Sequence, residues 1–477
     1  MSSVRASPAQ PEWLSLVMAR VSDTGVREPF YVDGSVDIVS VCRMLSERGL
    51  TDALVCDGDR LGMFTTTDLR DALLRPESPA ALQVREVARF DLIEVESSAE
   101  VFDALWLMLH HRVHRLLVRD RGVVRGILGQ LDLVDFVAHN SHIVALQIDA
   151  ASTIAHLQAA VLQIDTTVEL LHEGGIRIER IARLVGELNA RLFAKLWSLL
   201  APPDLVENSC LLVMGSEGRG EQIWKTDQDN ALLLRDGYQR SDLGEIAARF
   251  NAALTELGYP QCPGNIMLTN PLWRQPLAAF RDTIRQWCYG PDPDGTMNLA
   301  IFLDAVAVAG DESLLVEARD HLDRVLNGSD VFLSRFAAPV AQFAENSHWW
   351  SWLGQRRDDE TPLDLKKFGT FPIVHGLRAL ALRHRVRAVS TADRLRELRL
   401  RGVLDPVLAA DVLDALHCLM ALKLANQLRE RAAGRVPDNL VRPADLGTLE
   451  RDALRDALAI VKRLRTQLVL DFRLDRF

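Results

Sequence analysis

One pair of segments limits the fold of this chain more than any other feature. Gly62-Met63-Phe64-Thr65-Thr66-Thr67-Asp68-Leu69 aligns with Gly126-Ile127-Leu128-Gly129-Gln130-Leu131-Asp132-Leu133. The stretches ahead of them correspond too: Asp37 to Arg48 and Ala99 to His111 both read as helices. Short apolar runs, Ala53-Leu54-Val55-Cys56 and Leu116-Leu117-Val118, read as buried strands. Each is closed by a turn, Asp57-Gly58-Asp59 or Asp120-Arg121-Gly122. A repeat of this length means two copies of one α/β unit that bury their faces against each other.

The 477 residues exceed what one core organises, so several domains are expected. Residues 1–27 read as a leader, weakly helical from Glu12 to Val21, and 28–141 hold the repeat pair as 28–80 and 81–141. Residues 142–203 form a helical connector, with a break at Gly174-Gly175 and a stop at Pro202-Pro203. A second α/β region spans 204–311. Residues 312–477 are largely helical, with breaks at Pro339, Pro362, Pro372, Pro406, Pro437 and Pro443 and bundle helices from Val407 to Glu430 and Leu446 to Phe472. The fold class is therefore α/β and α, multidomain.

A formal net charge of −10 argues against nucleic acid as a partner of the bulk surface. Six cysteines without a Cys-x-x-Cys pair fit buried thiols in a reducing compartment. No run reaches the roughly 20 apolar residues of a membrane helix, and none reads as a signal peptide. A cytoplasmic protein without a membrane partner is expected.

Chemistry concentrates between two apolar strands. Cys210 to Met214 leads into Gly215-Ser216-Glu217-Gly218-Arg219-Gly220-Glu221. Polar residues continue to Lys225, then come Thr226-Asp227-Gln228-Asp229-Asn230 and a second strand, Ala231 to Leu234. Asp227 and Asp229 are two apart on extended chain, so both carboxylates point to one side. Two close carboxylates repel unless a cation lies between them, and Mg2+, or Mn2+, is the natural ion beside phosphates. The glycines let backbone approach a triphosphate, which N–H groups and the Ser216 hydroxyl can cradle, while Arg219 can neutralise departing pyrophosphate. There is no Gly-Lys-Ser/Thr, no dinucleotide glycine spacing and no EF-hand pattern. The plain alternative is a glycine turn with a solvated acidic turn after it.

The repeat resembles the CBS domain, whose strand runs through Gly-apolar-x-Thr/Ser-x-x-Asp into a helix. The resemblance implies a paired module that binds AMP or ATP between the copies and supports a homodimer. Thr65 and Asp68 match the motif. In the second copy Gly129 replaces the hydroxyl residue and only Asp132 matches, so one pocket or none is expected. Asp68 and Asp132 read equally well as helix N-caps.

The Gly-Ser to Asp-x-Asp segment resembles the polymerase-β-like nucleotidyltransferases, nearest the PII-protein uridylyltransferase and glutamine-synthetase adenylyltransferase branch. Residues from about Val144 to Glu430 look like the nucleotidyltransferase family that joins CBS pairs to this core and a helical C-terminal domain. Cys262-Pro263-Gly264-Asn265-Ile266-Met267 and Asn270-Pro271-Leu272-Trp273-Arg274-Gln275 carry the likeness further.

That resemblance implies metal ligands at Asp227 and Asp229, with Gly215, Ser216, Arg219, Glu221 and Lys225 binding the nucleoside triphosphate. A third carboxylate is expected at the end of a later strand, and Met297 to Asp304 supplies Asp304 as metal ligand and activator of the acceptor hydroxyl. The family's following Phe-Arg is Ala305-Val306 here. The implied reaction is in-line attack on the α-phosphate, with a protein or small molecule as acceptor and the CBS pair as regulator. The alternative is a catalytically silent nucleotide sensor. The acceptor and the base are not legible, and nothing resembles the further domains of the PII uridylyltransferases.

Weaker signals have plainer readings. Lys366-Lys367 can reach phosphates or be a solvated pair. His110, His111 and His114 suit a helix surface better than a metal site. Trp349, Trp350 and Trp352 suit a helical core better than a base-stacking platform. Gly-x-Ser-x-Gly is absent, so serine hydrolase chemistry has no support.

Overall fold

A computed structural model of the chain describes residues 20–326, 329–342, 362–435 and 437–474. It separates into two compact units, dividing after Ile143. The three tryptophans at 349–352 and most of the Glu12–Val21 segment lie outside the described residues.

The first unit contains the repeat twice. In one copy β1 (Tyr31–Asp33), α1 (Ile38–Arg48), β2 (Asp52–Asp57) and β3 (Arg60–Thr65) lead into α2 (Thr66–Ala72). In the other, β4 (Glu94–Glu96), α3 (Val101–His110), β5 (Arg115–Asp120) and β6 (Val123–Gly129) lead into α4 (Gln130–Ala150). The topologies are identical, with the first strand parallel to the second and the second antiparallel to the third. Leu54 and Met63 from one copy pack with Leu117 and Ile127 from the other, and Arg115 Nε donates to Asp52 at 2.5 Å across the seam.

The lead-in segments cross over. Arg27, just before β1, exchanges two backbone hydrogen bonds with Ile127 of the opposite copy. Arg89, before β4, does the same with Met63. Each copy is thus finished by chain that belongs to its twin.

In the second unit α5 (Ile154–Glu173) and α6 (Ile178–Leu200) precede a four-stranded mixed sheet. The sheet runs β10-β7-β8-β9, with β7 (Ser209–Val213), β8 (Asn230–Leu234), β9 (Arg274–Pro276) and β10 (Val306–Gly310). β7 and β8 are buried along their whole length, as the unbroken apolar runs require. Short helix α7 (Gly215–Gly218) follows β7, α8 (Leu243–Glu256) follows β8, and α9 (Leu277–Tyr289) follows β9.

The segment expected as a strand ending on Asp304 is instead helix α10 (Gly295–Phe302). Phe302 is buried beside Phe280 and Trp287, and that aromatic cluster favours the helix over an extended run. Asp304 therefore precedes strand β10 rather than ending a strand.

The remaining helices include α11 (Ser313–Val325), α12 (Phe371–Arg383), α13 (Thr391–Leu400), α14 (Pro406–Ala432) and α15 (Thr448–Asp471). Pro372 and Pro406 start helices instead of breaking them, because a first-turn proline lacks only an N–H that has no helical partner. The long pair α14 and α15 packs side by side. No described helix is long and apolar enough to cross a membrane.

Candidate active site

Sheet register gathers the three aspartates at one end. Val213 pairs with Asn230 on one side and Val306 on the other. The chain just past β7 (Gly215), just before β8 (Asp229) and just before β10 (Asp304) must therefore converge.

Alternation on extended chain then separates the side chains of Asp227-Gln228-Asp229. Gln228 turns inward and is 4% exposed; its amide donates to the carbonyls of Asn251 and Tyr259, and Asn251 donates back at 2.7 Å. Asn230 also turns inward, accepting from Asn251 and from the Leu268 backbone. Two satisfied buried amides fix the register, leaving Asp227 and Asp229 on the opposite side. Asp227 lines a cleft of about 190 Å³ between the sheet end and α14.

Gly215 makes room for Asp229. It sits at φ 58°, and a Cβ there would lie 2.2 Å from a carboxylate oxygen of Asp229. Gly218 does the corresponding work for the neighbouring strand, since a Cβ there would meet the Asp304 carbonyl at 2.1 Å. These close approaches, more than flexibility, explain the glycines. Among the described residues neither Asp227 nor Asp229 has a cationic partner within salt-bridge distance. Burial raises the pKa of Asp229 and the neighbouring Asp227 adds to the rise, while the Cys262 thiol that hydrogen-bonds it and the more distant charges of Lys366 and Arg219 work the other way.

Asp304 is a correction. Its carboxylate is fully buried and is held by Arg219 at 2.6 Å, Arg394 at 2.8 Å, and Arg378 through a two-point bridge. Burial alone would raise its pKa, but Arg378, Arg219 and Arg394 together hold it far below the usual carboxylate range. Both oxygens are taken by guanidinium groups, so none is presented to a metal ion. Among the described residues no group of three or more His, Cys, Asp or Glu side chains could hold a metal.

The expected phosphate contacts also have other partners. Arg219 donates to Glu221 as well as to Asp304, and Glu221 accepts from the Thr391 backbone at the start of α13. This favours the carboxylate, which faces helix N–H groups. Lys225 donates to Asp165 of α5 at 2.6 Å, yet both Lys225 and Arg219 still line the cleft. Ser216 lines it too, donating its hydroxyl to Gln222.

Two lysines from neighbouring elements complete its lining, Lys366 and Lys423. The pKa of Lys423 is pulled down to about 8, first by burial and then by Lys366, with Asp227 opposing. Sequence reading missed Lys423, although a signal was present. Leu416, Met420, Lys423 and Gln427 fall on one helical stripe of α14, and a lysine among apolar residues there is out of place.

One more polar group sits in an apolar stripe. On α6, Asn189 alone interrupts the buried row from Ile178 to Trp197. It donates to Glu217 at 3.2 Å and accepts from Tyr259 at 2.8 Å, tying α6 to α7. Burial raises the Glu217 pKa to about 8, with Asn189 opposing.

In the first unit Asp68 accepts from the Thr65 backbone and hydroxyl, and from Arg89 at 2.9 Å. Asp132 accepts from the Gly129 backbone at 2.7 Å and from Arg27 at 3.0 Å. Both aspartates close the first turn of their helices, each with an arginine from the crossing lead-in. His110 and His111 are exposed, with His110 stacked on Trp106, and His114 bonds Gln130.

Comparison with known proteins gives these domains their family. The family model described as "Putative nucleotidyltransferase DUF294" matches residues 162–294, the nucleotidyltransferase substrate binding domain matches 330–472, and the CBS domain matches 84–139. An uncharacterized protein of Methanocaldococcus jannaschii, MJ1232, is 25% identical over 126 residues, which is 26% of this chain and 41% of that protein. The chain therefore spans less than half the length of that curated relative. Two solved structures cover 24% of the chain. A "putative signal-transduction protein with CBS domains" from Burkholderia ambifaria is 27% identical over 86% of its own length, with a TM-score of 0.23. A CBS domain protein of Pyrobaculum aerophilum complexed with AMP is 19% identical over 88% of its length, with a TM-score of 0.22. The chain thus carries, in order, matches to a CBS domain, the DUF294 domain and its substrate binding domain, the combination of the CBS-containing nucleotidyltransferase family.

Proposed function

We propose that the second unit transfers a nucleoside monophosphate from a nucleoside triphosphate to a protein or small-molecule acceptor, in a reaction dependent on a divalent metal. The observation that carries this reading is the pair Asp227 and Asp229, fixed on one side of the chain by Gln228 and Asn230 and left without a cationic partner among the described residues. Two hard carboxylates fit Mg2+ or Mn2+, whose other positions go to phosphate oxygens and water. When bound, such an ion would neutralise the pair and draw charge from the phosphate under attack.

The chain's own groups divide the remaining work. Gly215 and Ser216 bring backbone close to the phosphates, and Lys366 and Lys423 balance their charge from the far wall. Arg219 and Glu221 act as positioning residues, holding the loop against the helical domain through Asp304 and Thr391.

The first unit supplies regulation by an adenine nucleotide, AMP or ATP, at the Thr65 turn, and a homodimer contact. The second turn lacks the hydroxyl, since Gly129 stands where Thr65 does in the first, while both turns carry an arginine on their aspartate. Equilibrium binding of AMP to the full chain should therefore saturate near one per chain, and a stoichiometry of two contradicts a role for that hydroxyl.

One observation favours a second reading, nucleotide sensing without turnover: Asp304 is sealed by arginines, so a third carboxylate is lacking. The deciding experiment incubates the protein with labelled ATP, UTP, GTP or CTP, Mg2+ or Mn2+, and lysate. Label transfer that Asp229→Ala abolishes supports the enzyme. Triphosphate binding without any pyrophosphate release supports the sensor.

A further inference from the structure

Away from the cleft, a second cavity gathers positive charge. It has a volume of about 40 Å³ and is bounded by Leu303, α11, the end of α12 and the loop beyond it. Five arginines line it, Arg319, Arg378, Arg385, Arg387 and Arg394, against a single lining carboxylate, Asp323.

The ion pairs do not balance this charge. Asp304 is taken by Arg378 and Arg394, and Asp320 and Asp323 are both taken by Arg387. Arg319 donates to the Ala305 carbonyl and makes no ion pair among the described residues; burial and then Arg387 lower its pKa, with Glu312, Asp304 and Asp323 opposing. Among the described residues the Arg385 side chain has no ion pair or hydrogen bond. Two guanidinium groups, Arg319 and Arg385, thus line the cavity without an ion pair of their own among the described residues. Arg385 sits at φ 52° as the left-handed residue that ends α12, where the Val386 N–H bonds back to the Ala381 carbonyl, so the helix end fixes the position of its backbone.

The space sets the size of an occupant. A water needs roughly 10–15 Å³ on this measure, so the cavity admits a group of about three waters. That is the size of one phosphate, and planar guanidinium forks match its oxygens.

We propose that this arginine-lined cavity is an anion site for a phosphate-sized oxyanion, either inorganic phosphate or the terminal phosphate of a small monoester. The site is separate from the triphosphate cleft, and the proposal does not depend on nucleotidyl transfer. It is joined to the cleft indirectly, because Arg378 and Arg394 hold Asp304, which holds Arg219.

Calorimetric titration of the full chain tests it, with inorganic phosphate and glycerol phosphate run against chloride at matched ionic strength. Saturable binding is expected for at least one phosphate, and the tighter of the two identifies the source. Arg385→Ala, at an exposed position, should weaken binding at least about tenfold with no change in the unliganded melting temperature. The double variant Lys366→Ala/Lys423→Ala, which strips cations from the cleft, should bind phosphate as the parent does. No saturable binding at millimolar phosphate overturns the proposal. So does binding that survives Arg385→Ala but is lost in the lysine variant.

Discussion

Asp229 and Asp304 stand at the same end of one sheet, each beside a glycine of the same short helix α7, in opposite electrostatic surroundings. Asp229 shares its space with Asp227 and one thiol, and feels Lys366 and Arg219 only at a distance, with no ion pair among the described residues. Asp304 is enclosed by three guanidiniums that join the sheet to α12 and α13. Position at the sheet end is therefore insufficient to make a carboxylate a metal ligand; the counter-charge the fold already supplies decides it. A carboxylate without an ion pair stays open to a cation from solution, whereas one that is saturated fastens elements together.

The sharpest way to break this comparison is to remove one member at a time. Asp229→Ala should lower label transfer by on the order of a thousandfold or more while leaving the urea midpoint near that of the parent. Asp304→Asn should do the reverse in kind, costing about 3–5 kcal/mol of stability because three buried guanidiniums lose their partner. Urea titration reads this, and a midpoint equal to that of the parent would show that the cluster does not bind the elements together.

Glu217 offers an intermediate test, since it is a buried carboxyl on the same helix with neither a metal nor an arginine. The pKa of its folded form is raised from 4.5 to about 8, so between those values the folded chain keeps a proton that the unfolded chain has released. Stability should therefore fall as pH rises through that window, by up to a few kcal/mol. Glu217→Gln should flatten this dependence; a variant with the parental slope refutes the assignment.

The smallest effects should come from the two glycines. Gly218→Ala forces a methyl into the Asp304 backbone and should cost about 1–3 kcal/mol. Gly215→Ala presses instead on a side chain and imposes a strained φ, costing about 1 kcal/mol. Its larger effect should be on turnover, because Asp229 must move. Equal stability losses with equal turnover losses would erase the distinction between the two sides of α7.

Much of this was readable in the sequence because it rests on local chemistry. The repeat, the strands around Gly215 and Asp229, and helices α14 and α15 follow from periodicity and from residues that adopt few conformations. What escaped reading was long-range pairing. Nothing near Asp304 announces Arg378 and Arg394, which arrive from 74 and 90 residues away. Asp304 was also misread as ending a strand, since Met297 to Phe302 is apolar apart from Asn298 and a short apolar run does not reveal its period. Lys423 was legible but unread. Asp68 and Asp132 were read as N-caps; each is instead the third residue of its helix and accepts from the N–H of the residue before that helix, and their arginines come from lead-ins whose crossing no local pattern encodes.

That crossing has a consequence for how the first unit can be divided. Severed between α2 and β4, each half would keep its own helices but present an open strand edge where Arg27 or Arg89 had lain. Neither half is self-sufficient, so the pieces should complement each other only in trans. Two intact chains can satisfy the same edges by trading halves, which makes exchange between copies a route to dimers that requires no new surface.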